Sequence, residues 1–346
     1  MTGRRAADST GTAEPVLVLR ALGLGDALAA VPALRGLRRL HPGRPLLLAA
    51  SGAPADLLVD CAVVDAVVPT AGLDGPPPGA GLGPHLAVNL HGRGPQSHRL
   101  LLAGAPRDLL AYASPAAGVD GPGWRATEHE VRRWCRLVDG AASARGRRRV
   151  TRDDDLRLQL PASWAVPEAV AAITGTGPYA VLHPGASSGA RRWPARRWAR
   201  VARELERTGV RVVLTGGPDE RALVSGVTTA AGLPAARCTA GELTLPQLSA
   251  LVAGAALLVC GDTGVAHLGT ALGTPSVIVF GPVPPSRWGP LADPQRHTVV
   301  WHGAGLGEGD GNADRCDPAL LRVGVDEVLA AAITRLERVP AGTAGS

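Results

Sequence analysis

Three short stretches of the chain carry side chains able to do chemistry. In LGLGDALAAVPALRGL, Gly23 and Gly25 lead into Asp26. Two glycines let a backbone approach a ligand closely, and a carboxylate at such a turn fits a general base taking a proton from a hydroxyl. Capping of the following helix is the competing use of Asp26. In HPGASSGARRWPARRW, Ser187, Ser188 and Arg191 converge on the start of a helix. Hydroxyls and a guanidinium there outline an anion site. In CGDTGVAHLGTALG, Asp262, Thr263 and Gly264 precede an apolar helix and offer free amides with a hydroxyl. A pyrophosphate fits these two turns together. Taken singly, Asp262 and Thr263 read as helix caps, and His267, one turn into that helix, as a packing histidine.

The elements that must position these residues follow from the apolar pattern. VLVLR (16–20), PLLLAA (45–50), HLAVNL (85–90) and DLLAYA (108–113) read as buried strands alternating with helical segments. A second series runs through YAVLH (179–183), RVVLTGG (211–217), ALLVCG (256–261) and SVIVFG (276–281). Alternation of this kind predicts α/β architecture with two doubly wound parallel sheets, and the reactive turns then sit at strand ends, where open α/β sheets place their ligand crevice. Between the series, residues 150–177 carry a charge run and prolines and read as a solvated connector. The expected organisation is a disordered tail at 1–14, one domain over 15–165, a second over 166–338 and a tail at 339–346. The last helix, VDEVLAAAITRLERV, could pack on either domain. PARRWARVARELERTG predicts an amphipathic helix with Pro194 at its first position and Gly209 beyond its end. Pro32 predicts a bend or a late start in the helix that follows Asp26. HGAGLGEGDGNADRC (302–316) reads as a mobile loop.

Composition narrows the function. The 36 basic residues are all arginine, as a GC-rich coding sequence would give, and they are dispersed. Aromatics make up only 3%, so the +6 charge does not outline a nucleic-acid site, which needs a basic stripe with stacking platforms. Five widely spaced cysteines show no zinc spacing and read as reduced thiols. Neither a signal peptide nor a membrane span is expected, which places the protein in the cytoplasm with at most peripheral membrane contact. No heptad or exposed apolar stripe sets an oligomer. As a dinucleotide fingerprint the first turn fails: the third glycine is missing near Leu28, and PLLLAA stands where a ribose-binding acid belongs. Asp153 and Asp155 have the spacing of a metal-holding pair but lie in the charged connector, where solvated surface is the better account.

Taken in order, GLGDALAAVPALRGL, HPGASSGARRWPARRWARVARELE, LTGGPDERAL and LPQLSALVAGAALLVCGDTGVAHLGTALGTPSVIVFGP resemble glycosyltransferase family 9, the heptosyltransferase family, over residues 15–330. The resemblance implies a GT-B fold, two Rossmann-like domains facing across a cleft, with the donor on the C-terminal domain and the acceptor on the N-terminal one. It implies an inverting, metal-independent transfer with no cofactor, from a nucleoside-diphosphate sugar to a glycan, glycolipid or small-molecule acceptor, ADP-heptose being the leading donor. Asp26 matches the family's catalytic aspartate. Ser187, Ser188 and Arg191 match its donor-phosphate residues, with Arg191 standing where the family usually has Lys. Asp262, Thr263, Gly264 and His267 match its nucleotide-sugar turn, and Glu220 a residue that meets the ribose. On the acceptor side stand Gly25 and, in NLHGRGPQSHRLL, His91, Arg93, Gln96 and His98, which otherwise read as a plain polar loop. A nucleotide-sugar epimerase of the same architecture and a non-catalytic sugar-nucleotide-binding relative are the alternatives.

Overall fold

A computed structural model describes residues 14–338 except 84 and 308, so the tails expected at 1–14 and 339–346 lie outside the described residues apart from Glu14. The described residues form two five-stranded sheets, parallel throughout. The first contains β1 (Val16–Leu19), β2 (Leu46–Ala50), β3 (Ala66–Pro69), β4 (Leu86–Asn89) and β5 (Asp108–Leu110) in the order β3-β2-β1-β4-β5. The second contains β6 (Tyr179–His183), β7 (Arg211–Leu214), β8 (Leu257–Gly261), β9 (Ser276–Val279) and β10 (His297–Val300) in the order β10-β9-β8-β6-β7. This is the two-sheet α/β architecture that the alternating pattern predicts. Central strands such as VLVL and LLVCG are buried along their whole length because helices cover both faces, which is why they appear as unbroken apolar runs.

Strand order reverses between β1 and β4 in one sheet and between β6 and β8 in the other. The loops leaving those four strands begin at Arg20, Leu90, Pro184 and Asp262, so each sheet opens a crevice at its switch point. The helix after β1 stops at Ala29, and a second begins at Val31 with Pro32 in its first turn, as a proline there requires. The helix Ala195–Arg207 buries Trp198, Val201, Ala202 and Leu205. Pro194 is its N-cap, one position earlier than expected, and Gly209 turns away at φ +86°.

One open expectation is decided and two need correction. The final helix, Val325–Glu337, packs on the second sheet, burying Val328 and Ala332 beside Val277 and Val279. The connector is not merely solvated: Thr151, Leu156 and Leu158 are buried, and the Leu158 amide donates to the Ala271 carbonyl at 2.8 Å. Asp155 is clamped by Arg35 and Arg39, and Asp153 lies 3.0 Å from Arg132 and 3.5 Å from Arg149, so arginines engage both members of the Asp-x-Asp pair. The glycine-rich stretch 302–316 is tied down as well. The Ala190 amide donates to the Ala313 carbonyl at 2.8 Å, and the Gly311 carbonyl accepts from the Ser188 hydroxyl at 2.6 Å. No helix among the described residues is long and apolar enough to cross a membrane.

Candidate active site

The two crevices meet where the helix Leu24–Ala29 of the first half crosses the helix Gly264–Leu272 of the second. Glycine permits the crossing. A Cβ on Gly25 would stand 2.8 Å from His267 Cδ2 and 3.6 Å from Gly264 Cα, and a Cβ on Gly264 would stand 3.0 Å from Leu24 Cβ. Backbone therefore meets backbone at the seam, and Asp26, one residue beyond Gly25, is carried to its edge.

Asp26 does not cap the helix. Gly23 is the N-cap, and the Asp26 side chain, one-third exposed, turns instead to Arg20, whose guanidinium lies 3.0 Å from Oδ1. Burial, the largest influence, pushes the Asp26 carboxyl above its ordinary value. The nearby Glu130 adds to that rise, while Arg20 and Arg191 oppose it without cancelling it. A carboxylate with raised proton affinity is the stronger base.

On the facing side, Asp262 is buried and lies 3.6 Å from the Arg191 guanidinium. Burial pushes its carboxyl up to about 6, with Arg191 pulling the other way. Thr263 is the N-cap of the helix Gly264–Leu272, but its hydroxyl makes no capping bond. Its Oγ1 is buried with no hydrogen-bond partner among the described residues, and a buried hydroxyl left unpaired is costly unless a ligand completes it. Capping thus fails as an account of both residues. His267 is half-buried, edge-on to Trp288 with ring centroids 5.6 Å apart. Burial, reinforced by His129 and Arg191, lowers it to about 4, so the ring is neutral at pH 7. Ser187 is exposed on the same rim, while Ser188 Oγ and Arg191 Nε both donate to the Gly311 carbonyl, at 2.6 and 3.3 Å. Glu220 lies over Gly185, where a Cβ would collide with its carboxyl group, 3.8 Å from His183 Nε2, and accepts from the Gly217 amide at 2.8 Å.

The residues expected on the acceptor side divide. His91 ends the loop turn after β4 with its amide on Asn89 Oδ1 at 2.9 Å, its buried Nδ1 unpaired among the described residues, and its ring lowered to about 4 by burial and by Arg20. Arg93 and Gln96 are exposed further along. His98 is a correction: its ring is fully buried, with Nε2 at 2.8 Å from the Tyr112 carbonyl and Nδ1 at 3.1 Å from Asn89 Nδ2, so both nitrogens serve the core of the first half.

Sequence reasoning missed a buried set behind Asp26. Arg20, which ends the VLVLR run, reaches Asp26, the Leu90 carbonyl and Glu130. His129 closes the seam nearby, its Nε2 2.9 Å from the Gly289 carbonyl of the other half. An arginine ending an otherwise apolar strand, directly before a glycine turn, was the signal available.

Comparison with known proteins adds the family. The family model for "Glycosyltransferase family 9 (heptosyltransferase)" matches residues 124–306, more than half of the chain. Lipopolysaccharide heptosyltransferase 3 of Escherichia coli is 32% identical over 136 residues, which is 38% of this chain and 40% of that protein. The match to this relative thus spans well under half of its length. Among solved structures, the family 9 glycosyltransferase of Veillonella parvula has a TM-score of 0.72 at 20% identity, covering 94% of this chain and 97% of that one. The ADP-heptose lipopolysaccharide heptosyltransferase II of Escherichia coli also scores 0.72 at 20% identity, covering 93% and 98%. At that identity these structures speak for the fold, the GT-B pairing of two parallel-sheet domains.

Proposed function

The chain belongs to glycosyltransferase family 9, the heptosyltransferases, and from that premise we propose that it moves heptose from ADP-heptose to a hydroxyl of a lipopolysaccharide-class glycolipid, inverting the anomeric centre without a metal ion. The observation that carries this is the meeting, at one seam between two switch-point crevices, of Asp26 from one half with Arg191, Asp262 and the Gly264 helix N-terminus from the other.

Each part has a task. Asp26, with raised proton affinity, accepts the acceptor hydroxyl proton as the oxygen attacks the anomeric carbon. Attack from the face opposite the leaving diphosphate inverts the centre. The departing charge falls to Arg191, the amides of the Gly264–Leu272 helix and the unpaired Thr263 hydroxyl, which together supply the neutralisation that a cation otherwise provides. Neutral His267 adds no charge and can donate or accept a hydrogen bond at the sugar. Glu220 holds the nucleoside ribose, and His91 and Arg93 meet the acceptor from the rim of the first sheet.

A thermal-shift panel of ADP, UDP, GDP and NAD in excess chelator tests the donor assignment. A ligand at about 100 times its dissociation constant stabilises the fold by roughly 2.7 kcal/mol, so ADP should raise the melting temperature and NAD should not. A response to NAD alone, or to the diphosphates only with a divalent cation, overturns the assignment. Consumption of ADP-heptose with a changed sugar but no acceptor would point to an epimerase instead.

A further inference from the structure

Arg20 is 1% exposed, and its donors are engaged on three separate elements. Nε donates to the Asp26 main-chain carbonyl at 3.0 Å, and Nη2 to Asp26 Oδ1 and Glu130 Oε1, both at 3.0 Å. Nη1 donates to the Leu90 carbonyl at the end of β4. The Trp134 ring centroid lies 5.0 Å from the guanidinium carbon, and the Trp134 indole N–H donates to Glu130 Oε1 at 2.8 Å. Arg133 meets the other Glu130 oxygen. A planar fork fixed at several acceptors and packed against an indole has one orientation. With Oδ1 and the main-chain carbonyl of Asp26 both taken, Oδ2 is the oxygen left outside this set of hydrogen bonds.

We propose that Arg20 is the positioning residue that aims the Asp26 carboxylate into the cleft, and that Glu130 is its counter-ion, keeping the guanidinium from holding that carboxylate as a closed ion pair. The proposal rests on Asp26 being the base. Neither Arg20 nor Glu130 touches substrate in it; both act through Asp26.

Charge balance gives the consequence. Arg20 and Arg133 are offset by Asp26 and Glu130, so removing the Glu130 charge leaves an excess of positive charge beside Asp26. The groups facing Asp26 are Arg20 from the turn after β1, Glu130 from the helix Glu130–Ser143 and Arg191 from the turn after β6. Beyond them, His91 and His267 are both neutral at pH 7. Burial alone would raise Glu130, but Arg20 and Arg133 overcome it and hold the carboxyl below its ordinary value. Loss of that charge makes Asp26 easier to deprotonate and weaker as a base.

The test is the pH profile of kcat for the wild type, Glu130→Gln, Glu130→Asp, Arg20→Lys and Asp26→Asn, with ADP affinity measured for each. Glu130→Gln should move the acidic limb to lower pH and lower the plateau while ADP affinity holds. Glu130→Asp should leave the limb near that of the wild type. Arg20→Lys should lower kcat with the donor KM little changed, because a point charge cannot bridge the same acceptors. An unmoved limb in Glu130→Gln with ADP affinity intact overturns the proposal. If Glu130→Gln does not fold, Arg20→Lys decides: reduced kcat at wild-type KM supports the proposal and wild-type kcat overturns it. Asp26→Asn separates the two levels. An active Asp26→Asn enzyme removes the base assignment itself, whereas an inactive one beside an unmoved Glu130→Gln limb removes only the positioning pair.

Discussion

Gly25→Ala is the sharpest single perturbation of the seam. Gly25 does not have a positive φ, so alanine adds no backbone strain and improves the helix by roughly 0.5–1 kcal/mol. Its Cβ, however, would stand 2.8 Å from His267 Cδ2, against an ordinary contact of 3.4–4 Å. The shortfall is roughly 1 Å, and backbone at Gly264 Cα, 3.6 Å away, blocks the easy retreat. Either His267 rotates off its place beside Trp288 or the two halves separate by a similar amount. A misplacement of about 1 Å between reacting groups costs on the order of 100-fold in rate. The assay pairs calorimetry with single-turnover transfer. The expected result is a protein that still folds, with a melting temperature at or below that of the wild type because the overpacked seam offsets the helix gain, and with transfer reduced about 100-fold. Transfer within threefold of wild type in a normally folded Gly25→Ala protein would show that the Gly25–Gly264 crossing does not set the catalytic geometry.

Other outcomes follow from the same site. Asp262, raised by burial from 3.8 to about 6, stabilises the fold only while protonated, and that contribution is lost as pH rises from 4 through 6. Asp262→Asn should therefore melt higher than wild type at pH 7.5 without nucleotide, by up to the order of 3 kcal/mol, with the gap closing below pH 4 and ADP affinity lost. His41, His91, His267 and His297 shift the opposite way, all lowered to about 4, chiefly by burial. Their contribution is present above 6.5 and lost as pH falls toward 4, so a pH series of thermal melts should show stability falling across that window. Arg191→Lys places the usual family residue at the phosphate turn but cannot keep both the Gly311 carbonyl and Asp262 in reach; initial-rate kinetics should show the donor KM raised about tenfold with a smaller change in kcat.

Much of this molecule was legible in the chain because its central strands are covered on both faces and appear as unbroken apolar runs. The two strands that escaped, β3 and β10, are four-residue edges with half-exposed positions, too short to stand out from the sequence around them. The turn residues were legible because a strand-end glycine turn has few uses. What a side chain touches there was not. His98 and His91 sit seven residues apart in the same polar-looking stretch, yet one faces Tyr112 in the core and the other faces Arg20 at the crevice. Arg20 and Glu130 lie 110 positions apart, and only the fold brings them together. The glycines of 302–316 suggest freedom, but Gly311 is pinned through its carbonyl, a group that composition does not reveal.

The most direct measurement follows heptose transfer from ADP-heptose to a heptose-deficient lipopolysaccharide in excess chelator, with Asp26→Asn run beside the wild type. The expected result is transfer by the wild type without added metal, and a loss of at least about 100-fold in Asp26→Asn with ADP binding unchanged. Transfer that appears only when a divalent cation is restored, or an Asp26→Asn enzyme that transfers at the wild-type rate, would contradict it.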